Sequence, residues 1–402
     1  MKVFVSIVII LICTFLSGCR QNTRITSIAR EDLFVLDIGI MEDQIALFDL
    51  EGNQGLRLAN HVMMGGLFYI SDGGGAKILR YNSFGDLLFM IYNEETNPPP
   101  MTLRHLSPDT LLTRWAVPYP LLEPGEIAVD SRRHIYVRDR LPPERHRFDT
   151  ETRTLLSNVI LHFDADGRFV EFLGREGIGG TPFPRIEGIY TSIRDELAVI
   201  CRHPMGWEVY WYNSEGMLLF VIQINNDALP IPPDRDNVFP SLDRISVGVD
   251  ERSLFIKVDY YTNTFDDATN IRTGIEPDSS VIWVMNVETG VWERYIDIPF
   301  FEYTVIEQNR RVTYRMLYSL LGMIRNERAV LTFPVQGGYS ILIISTDTSG
   351  TQYRGFIPVD NEALQFNAFS LSPDGILSGL LVDDWQVRLV WWRTDRFIGE
   401  GS

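Results

Sequence analysis

The chain has 402 residues, 45% of them hydrophobic, which is long and apolar enough to bury a sizeable core. Its 36 basic and 53 acidic residues leave a net charge of −17, so backbone phosphates are repelled and nucleic acid is not an expected partner. A basic protein, a cation or an uncharged ligand stays compatible with that surface.

The chain opens with Lys2 and an apolar run, Val3–Leu16. That run falls short of the ~20 residues a membrane-spanning helix needs and has the length of a signal-peptide core. Leu16-Ser17-Gly18-Cys19 follows. Small residues before a cysteine resemble the lipobox of bacterial lipoproteins. The resemblance implies cleavage before Cys19, acylation of that residue, and attachment to a membrane through the lipid. An ordinary signal peptide with a chance cysteine is the alternative. Arg20 follows Cys19, not the Asp associated with inner-membrane retention in enteric bacteria, so the periplasmic side of the outer membrane is the expected address. Arg20–Arg30 is polar and free of aromatics, and reads as a tether. The expected organisation is a signal peptide over 1–18, a tether over 19–30 and one domain over 31–402. Of the three cysteines, Cys13 leaves with the signal peptide and Cys19 takes lipid. Cys201 stays alone, so no intrachain disulfide is expected and stability must come from packing.

Beyond the tether one phrase recurs. "RYNSFGDLLFMI" (80–91), "HFDADGRFVEFLG" (162–174) and "WYNSEGMLLFVI" (211–222) share an aromatic residue, Asn or Asp, two residues, Gly, then an apolar run. Looser copies cover 285–296 and 344–357. Asn or Asp opening a turn and Gly closing it at φ > 0 is hairpin chemistry. A second phrase, two apolar strands around a polar turn, precedes each copy at 58–72, 127–139, 189–202, 245–259 and 320–334, and stands at 369–383. Joined, the phrases make a four-stranded meander, strands A to D. Six such units predict an all-β fold, a six-bladed β-propeller of antiparallel blades. The last unit lacks strand D, so Leu33–Gly39 is expected to supply it and close the ring. Seven blades, with Gln44–Gly52 in a degenerate extra blade, is the alternative.

"FLGREGIGGTPFPRIEGIYTS" (172–192), with the strand endings "YISD" (69–72) and "YVRD" (136–139), is similar to the junctions of NHL-repeat propellers. The whole chain also resembles six-bladed propeller lipoproteins of spirochaetes. These resemblances imply fold; NHL propellers include ligand binders, scaffolds and some lyases.

In this topology the B–C and D–A connections share one face. The long segments 140–157 and 260–280 are B–C, and 93–125 and 225–241 are D–A, so every long insertion is expected on that face. A binding role follows, with neutral drift on a tolerant face as the alternative. Asp72, Asp139, Asp259 and Asp383 end strand B in four units. They either accept N–H bonds from their own turns or form a carboxylate ring for a cation or basic partner. Trp207, Tyr260, Tyr261 and Trp385 are expected in exposed B–C loops, as platforms for a protein, peptide or sugar, or folded back onto the blades. Trp211, Trp283, Trp391 and Trp392 lie on C strands and are expected in the core.

No motif carries catalysis. "SDGGGAK" (71–77) lacks the ending of a phosphate loop, "DADG" (164–167) lacks the rest of a calcium loop, and the 6 His show no ligand spacing. No cofactor or metal is expected. Arg202 and His203, with Asp139 and Asp259, are the residues an axial catalytic cluster would use. The leading expectation is a monomeric, lipid-anchored, non-catalytic envelope propeller that binds a protein or other ligand through its loop-rich face. A lyase- or lactonase-like propeller enzyme and an envelope-assembly scaffold are the alternatives.

Overall fold

Strands with apolar residues at every position, not every second one, must be covered on both faces. Radial stacking of small sheets meets that demand. The computed structural model describes residues 26–47, 59–105, 113–266, 268–307, 310–347 and 350–400. The lipobox and Cys19 lie outside them. Blade 1 has strands A to D at Ala59–Met64, Leu67–Asp72, Lys77–Asn82 and Leu87–Tyr92. In blade 2 they are Ile127–Val129, Ile135–Arg140, Asn158–Phe163 and Phe169–Gly174. Blade 3 has Arg185–Thr191, Leu197–His203, Gly206–Tyr212 and Leu218–Asn225. Blade 4 has Phe239–Val247, Ser253–Phe265, Arg272–Asn286 and Trp292–Ile298. Blade 5 has Ser319–Ile324, Arg328–Val335, Gly338–Ser345 and Gln352–Pro358.

Blade 6 takes A, B and C from Phe366–Leu371, Leu377–Val382 and Gln386–Trp392, and its D strand from the other end of the chain, Arg30–Asp37. Arg30 lies opposite Trp392 and Asp37 opposite Gln386 in an antiparallel ladder. The expected closure is therefore present, beginning three residues earlier than the sequence suggests. Of the segment weighed as a seventh blade, Ile45 makes only an isolated bridge to Ile38, and residues 48–52 lie outside the described residues.

Six apolar clusters fill the six gaps between neighbouring blades. Side chains alternate across a strand, so one strand feeds two gaps. Phe68 and Ile70 of blade 1 pack toward blade 6, while Tyr69 between them packs toward blade 2. Trp211 and Trp392 are fully buried and Trp283 nearly so, each in one of these gaps. Trp391 is half-buried at the closure.

The repeated phrase builds one turn three times. Asn82 Oδ1 accepts the N–H of Phe84 and of Asp86, each at 2.9 Å. Asp164 and Asn213 do the same in blades 2 and 3. Gly85, Gly167 and Gly216 close these turns at φ of +84°, +81° and +76°. Each also abuts the preceding blade: a Cβ on Gly85 would lie 2.7 Å from Phe34, one on Gly167 2.7 Å from Phe89, and one on Gly216 3.0 Å from Leu173. The phrase recurs because the glycine serves the turn and the inter-blade contact together.

The stretch expected to be tether is partly fold. Thr26–Ser27 pairs in parallel with strand D of blade 5, and Ile28 is buried between blades 5 and 6. The reason is local: Ile28 is a large apolar residue in a mostly polar stretch, and its N–H bonds Phe356 O at 2.8 Å.

Candidate functional site

The A strands of all six blades surround a central cavity of about 260 Å³. Backbone pairing leaves each A strand one free edge, and these edges face the axis. At the end where the A strands begin, the lining turns charged, with Glu126, Glu187 and Arg244 on blades 2, 3 and 4. Two further cavities open beside this mouth. One, of about 300 Å³, reaches Trp207 and Asp243. The other, of about 330 Å³, is bordered by Arg138, Arg140 and Arg185. Glu187 borders all three.

Most charges at the mouth are mutually neutralised. Arg138 Nε lies 2.7 Å from Glu126 Oε2, Arg185 Nε 2.9 Å from Glu187 Oε1, and Arg140 Nη1 3.3 Å from Glu123 Oε2. Arg244 is exposed, and its guanidinium makes no hydrogen bond or ion pair among the described residues. His61 borders the cavity from blade 1, its Nε2 3.0 Å from Ser378 Oγ and its Nδ1 without a partner among the described residues. Burial holds its pKa down to about 3, so the ring is neutral at physiological pH.

The same face carries the insertions. Strands B and C of blade 4 run on past the sheet as far as Phe265 opposite Arg272, and Asp266 caps the tip by accepting from Ala268 and Thr269. Thus 260–280, expected as a loop, is largely hairpin. Segment 140–157 contains a short helix and a two-stranded ladder, Arg147–Asp149 with Thr154–Leu156. Segment 93–125 adds Trp115–Pro118 in parallel to strand D of blade 1. A further D–A hairpin, Phe301–Glu307 with Arg310–Met316, is rooted by Phe301 stacked on Phe333 at 4.6 Å. Apolar side chains stand exposed on these projections, including Phe265, Ile271, Ile275 and Ile306.

The strand-ending aspartates are engaged within the fold. Asp72 is fully buried and accepts from Gly75 N and Ala46 N, each at 2.9 Å, with Lys77 Nζ 3.9 Å away. Burial opposes charge on both partners, raising the acid and lowering the amine. Asp139 accepts from Leu122 N and Glu123 N, and burial pushes its pKa up to about 6. Asp259 receives Lys257 Nζ on both oxygens at 2.7 Å and the Ser280 hydroxyl at 2.6 Å. Burial raises it as well, with Lys257 opposing. Asp383 caps its turn by accepting from Trp385 N and Gln386 N, and these bonds, the first above all, lower its pKa. All four are bonded inside their own surroundings; no carboxylate ring joins them.

Three aromatic expectations need correction. Trp207 is in strand C and buried between blades 3 and 4, because the B–C turn of blade 3 is only Pro204-Met205. Tyr260 is fully buried; its hydroxyl donates to Pro230 O at 2.5 Å and accepts from Trp283 Nε1 at 2.9 Å. Tyr261 is half-buried in the same strand. Trp385 alone of the four is fully exposed, at 80%. Arg202 stacks over Trp207, 5.1 Å from its ring centroid, and His203 Nδ1 accepts from Met205 N at 3.3 Å. Neither bonds Asp139 or Asp259, so the cluster weighed for catalysis is not assembled.

The charged mouth escaped the sequence reading. Its signal is a charged residue directly before the apolar part of strand A, in Glu126-Ile, Glu187-Gly-Ile and Arg244-Ile.

No protein-family model matches the chain, and no curated protein does. Among solved structures it is similar to the polysaccharide lyase Uly1, at 12% identity and a TM-score of 0.43, over 92% of this chain and 99% of that one. It is also similar to a streptogramin B lyase, at 12% identity and a TM-score of 0.35, over 83% of this chain and 97% of that one. The β-propeller domain of the Trilobed protease from Pyrococcus furiosus matches at 10% identity and 0.33, over 67% of this chain and 82% of that one. The overlap is too loose to carry residues or activities across.

Proposed function

We propose that this chain is a lipoprotein of the bacterial cell envelope, anchored through Cys19, that binds a protein partner across its insertion-bearing face without catalysing a reaction. The reading places it on the periplasmic side of the outer membrane as a monomer, with the NHL-like junction at 172–192 as one repeat boundary. The observation that carries it is the blade 4 hairpin beyond Asp259–Ser280, which projects Phe265, Ile271 and Ile275 into solvent. Apolar residues left exposed on a projection beyond the sheet mark an interaction surface. Carboxylates of the mouth are held by guanidinium groups, which suits recognition more than proton transfer.

The test is co-purification from detergent-solubilised envelopes. A partner recovered with the wild type should be lost from an Ile271→Asp, Ile306→Asp variant that keeps the wild-type melting temperature. Recovery at the wild-type level would remove the basis for the reading.

A further inference from the structure

We propose that the tight-turn face of the propeller, with Phe84 at the anchored edge, lies against the bilayer, and that the insertion face and axial mouth point away from it. This inference rests on the reading that Cys19 carries lipid.

Two strand directions carry it. Strand D of a blade runs from the C–D turn to the D–A connection, that is, from the tight-turn face to the insertion face. Thr26–Ser27 is parallel to strand D of blade 5, with Thr26 opposite Gly355. Arg30–Asp37 is antiparallel to strand C of blade 6 and so runs the same way. The chain therefore enters the ring from the tight-turn side.

Reach favours this arrangement. Cys19 and Thr26 are seven residues apart, about 25 Å of fully extended chain. A six-residue strand spans about 20 Å. From Thr26, opposite the mid-strand Gly355, a tether reaching for the insertion face would have to double back past about half of that length and then clear the projecting hairpins.

The surface chemistry agrees. Phe84 is 86% exposed at the tip of the first C–D turn, and its neighbour Gly85 packs on Phe34 of the closing strand. Ile193, Met217 and Val291 are exposed at other turns of the same face. Each is a single apolar tip on a short, capped turn, which suits contact with the headgroup region of a bilayer.

The experiment measures energy transfer to acceptor lipids. Phe84→Cys and Trp385→Cys, made separately in the full acylated chain, are labelled with a thiol-reactive fluorophore; Cys201 is fully buried and does not compete. Each protein is reconstituted in phosphatidylcholine vesicles carrying a rhodamine-labelled lipid. Transfer from position 84 several-fold more efficient than from position 385 is expected. Equal transfer, or stronger transfer from 385, overturns the orientation. Mass spectrometry of Cys19 separates the two readings. If Cys19 carries no acyl group, the lipid reading fails, and a hexahistidine tag before Arg20 on nickel-chelating lipids decides the orientation by the same comparison.

Discussion

The indole nitrogen of Trp391 donates to Glu31 Oε2 at 2.9 Å, a hydrogen bond between strands at opposite ends of the chain. It belongs to the antiparallel ladder that makes Arg30–Asp37 the outer strand of blade 6. Without that strand, blade 6 exposes an unpaired edge and the apolar cluster shared with blade 1 loses Leu36. A chain beginning at Gly55 should lose cooperative unfolding and aggregate. Melting at the wild-type temperature would show that closure contributes nothing.

A subtler truncation separates tether from fold. Beginning at Glu31 removes Ile28 and the short parallel strand but keeps the closing ladder. Burial of one Ile side chain contributes about 2 kcal/mol. The Glu31 chain should be less stable by about that much than one beginning at Thr26, in denaturant titrations with an unchanged m-value.

Gly167→Ala tests the repeated turn. Residue 167 sits at φ +81°, and a Cβ there meets the Phe89 ring. Left-handed backbone alone costs a non-glycine residue about 1–2 kcal/mol. A loss of about 2 kcal/mol or more is expected, against about 0.5 kcal/mol for an ordinary surface change.

Asp259→Ala discriminates a fold-supporting carboxylate from one kept for ligands. It leaves Lys257, 1% exposed, with Asp243 at 3.1 Å as its one remaining carboxylate among the described residues. Breaking a buried pair costs about 3–5 kcal/mol, and the surviving partner should hold the loss to about 2 kcal/mol. Unchanged stability would return Asp259 to the list of ligand-binding candidates.

His61 governs part of the acid response. Its folded pKa of about 3 lies below the ordinary 6.5, so the unfolded chain binds the extra proton. Stability from this residue is complete above about pH 6.5 and falls as pH drops toward 3, by up to about 1.4 kcal/mol per unit. Asp139 has the opposite sign: with its folded pKa raised to about 6, its contribution improves as pH falls from 6 toward 4. His61→Asn should remove the first effect and leave the second. The stability of wild type relative to variant should therefore decline steadily below pH 6.5, read from urea titrations at fixed ionic strength.

The blades were legible because each repeats a local turn chemistry, and the closing strand because the sixth unit lacked one. Trp211, Trp283 and Trp392 were legible as core from their place on C strands. Trp207 and Tyr260 were not, since their burial depends on where a B–C turn falls and on a carbonyl, Pro230, thirty residues away. Glu126, Glu187 and Arg244 converge only once the ring closes, which no local pattern announces. The hairpin at 301–316 did alternate visibly, with Tyr303 opposite Tyr314 and Val305 opposite Val312, but it belongs to no repeat.

Crosslinking in intact cells decides whether the insertion face is the one that meets a partner. A p-benzoylphenylalanine replacing Ile271, on the blade 4 projection, is compared with one replacing Val291, on the tight-turn side of the same blade; both sites are exposed. A discrete protein adduct is expected from position 271 and none from position 291. Adducts of equal yield at both positions, or at 291 alone, would contradict it.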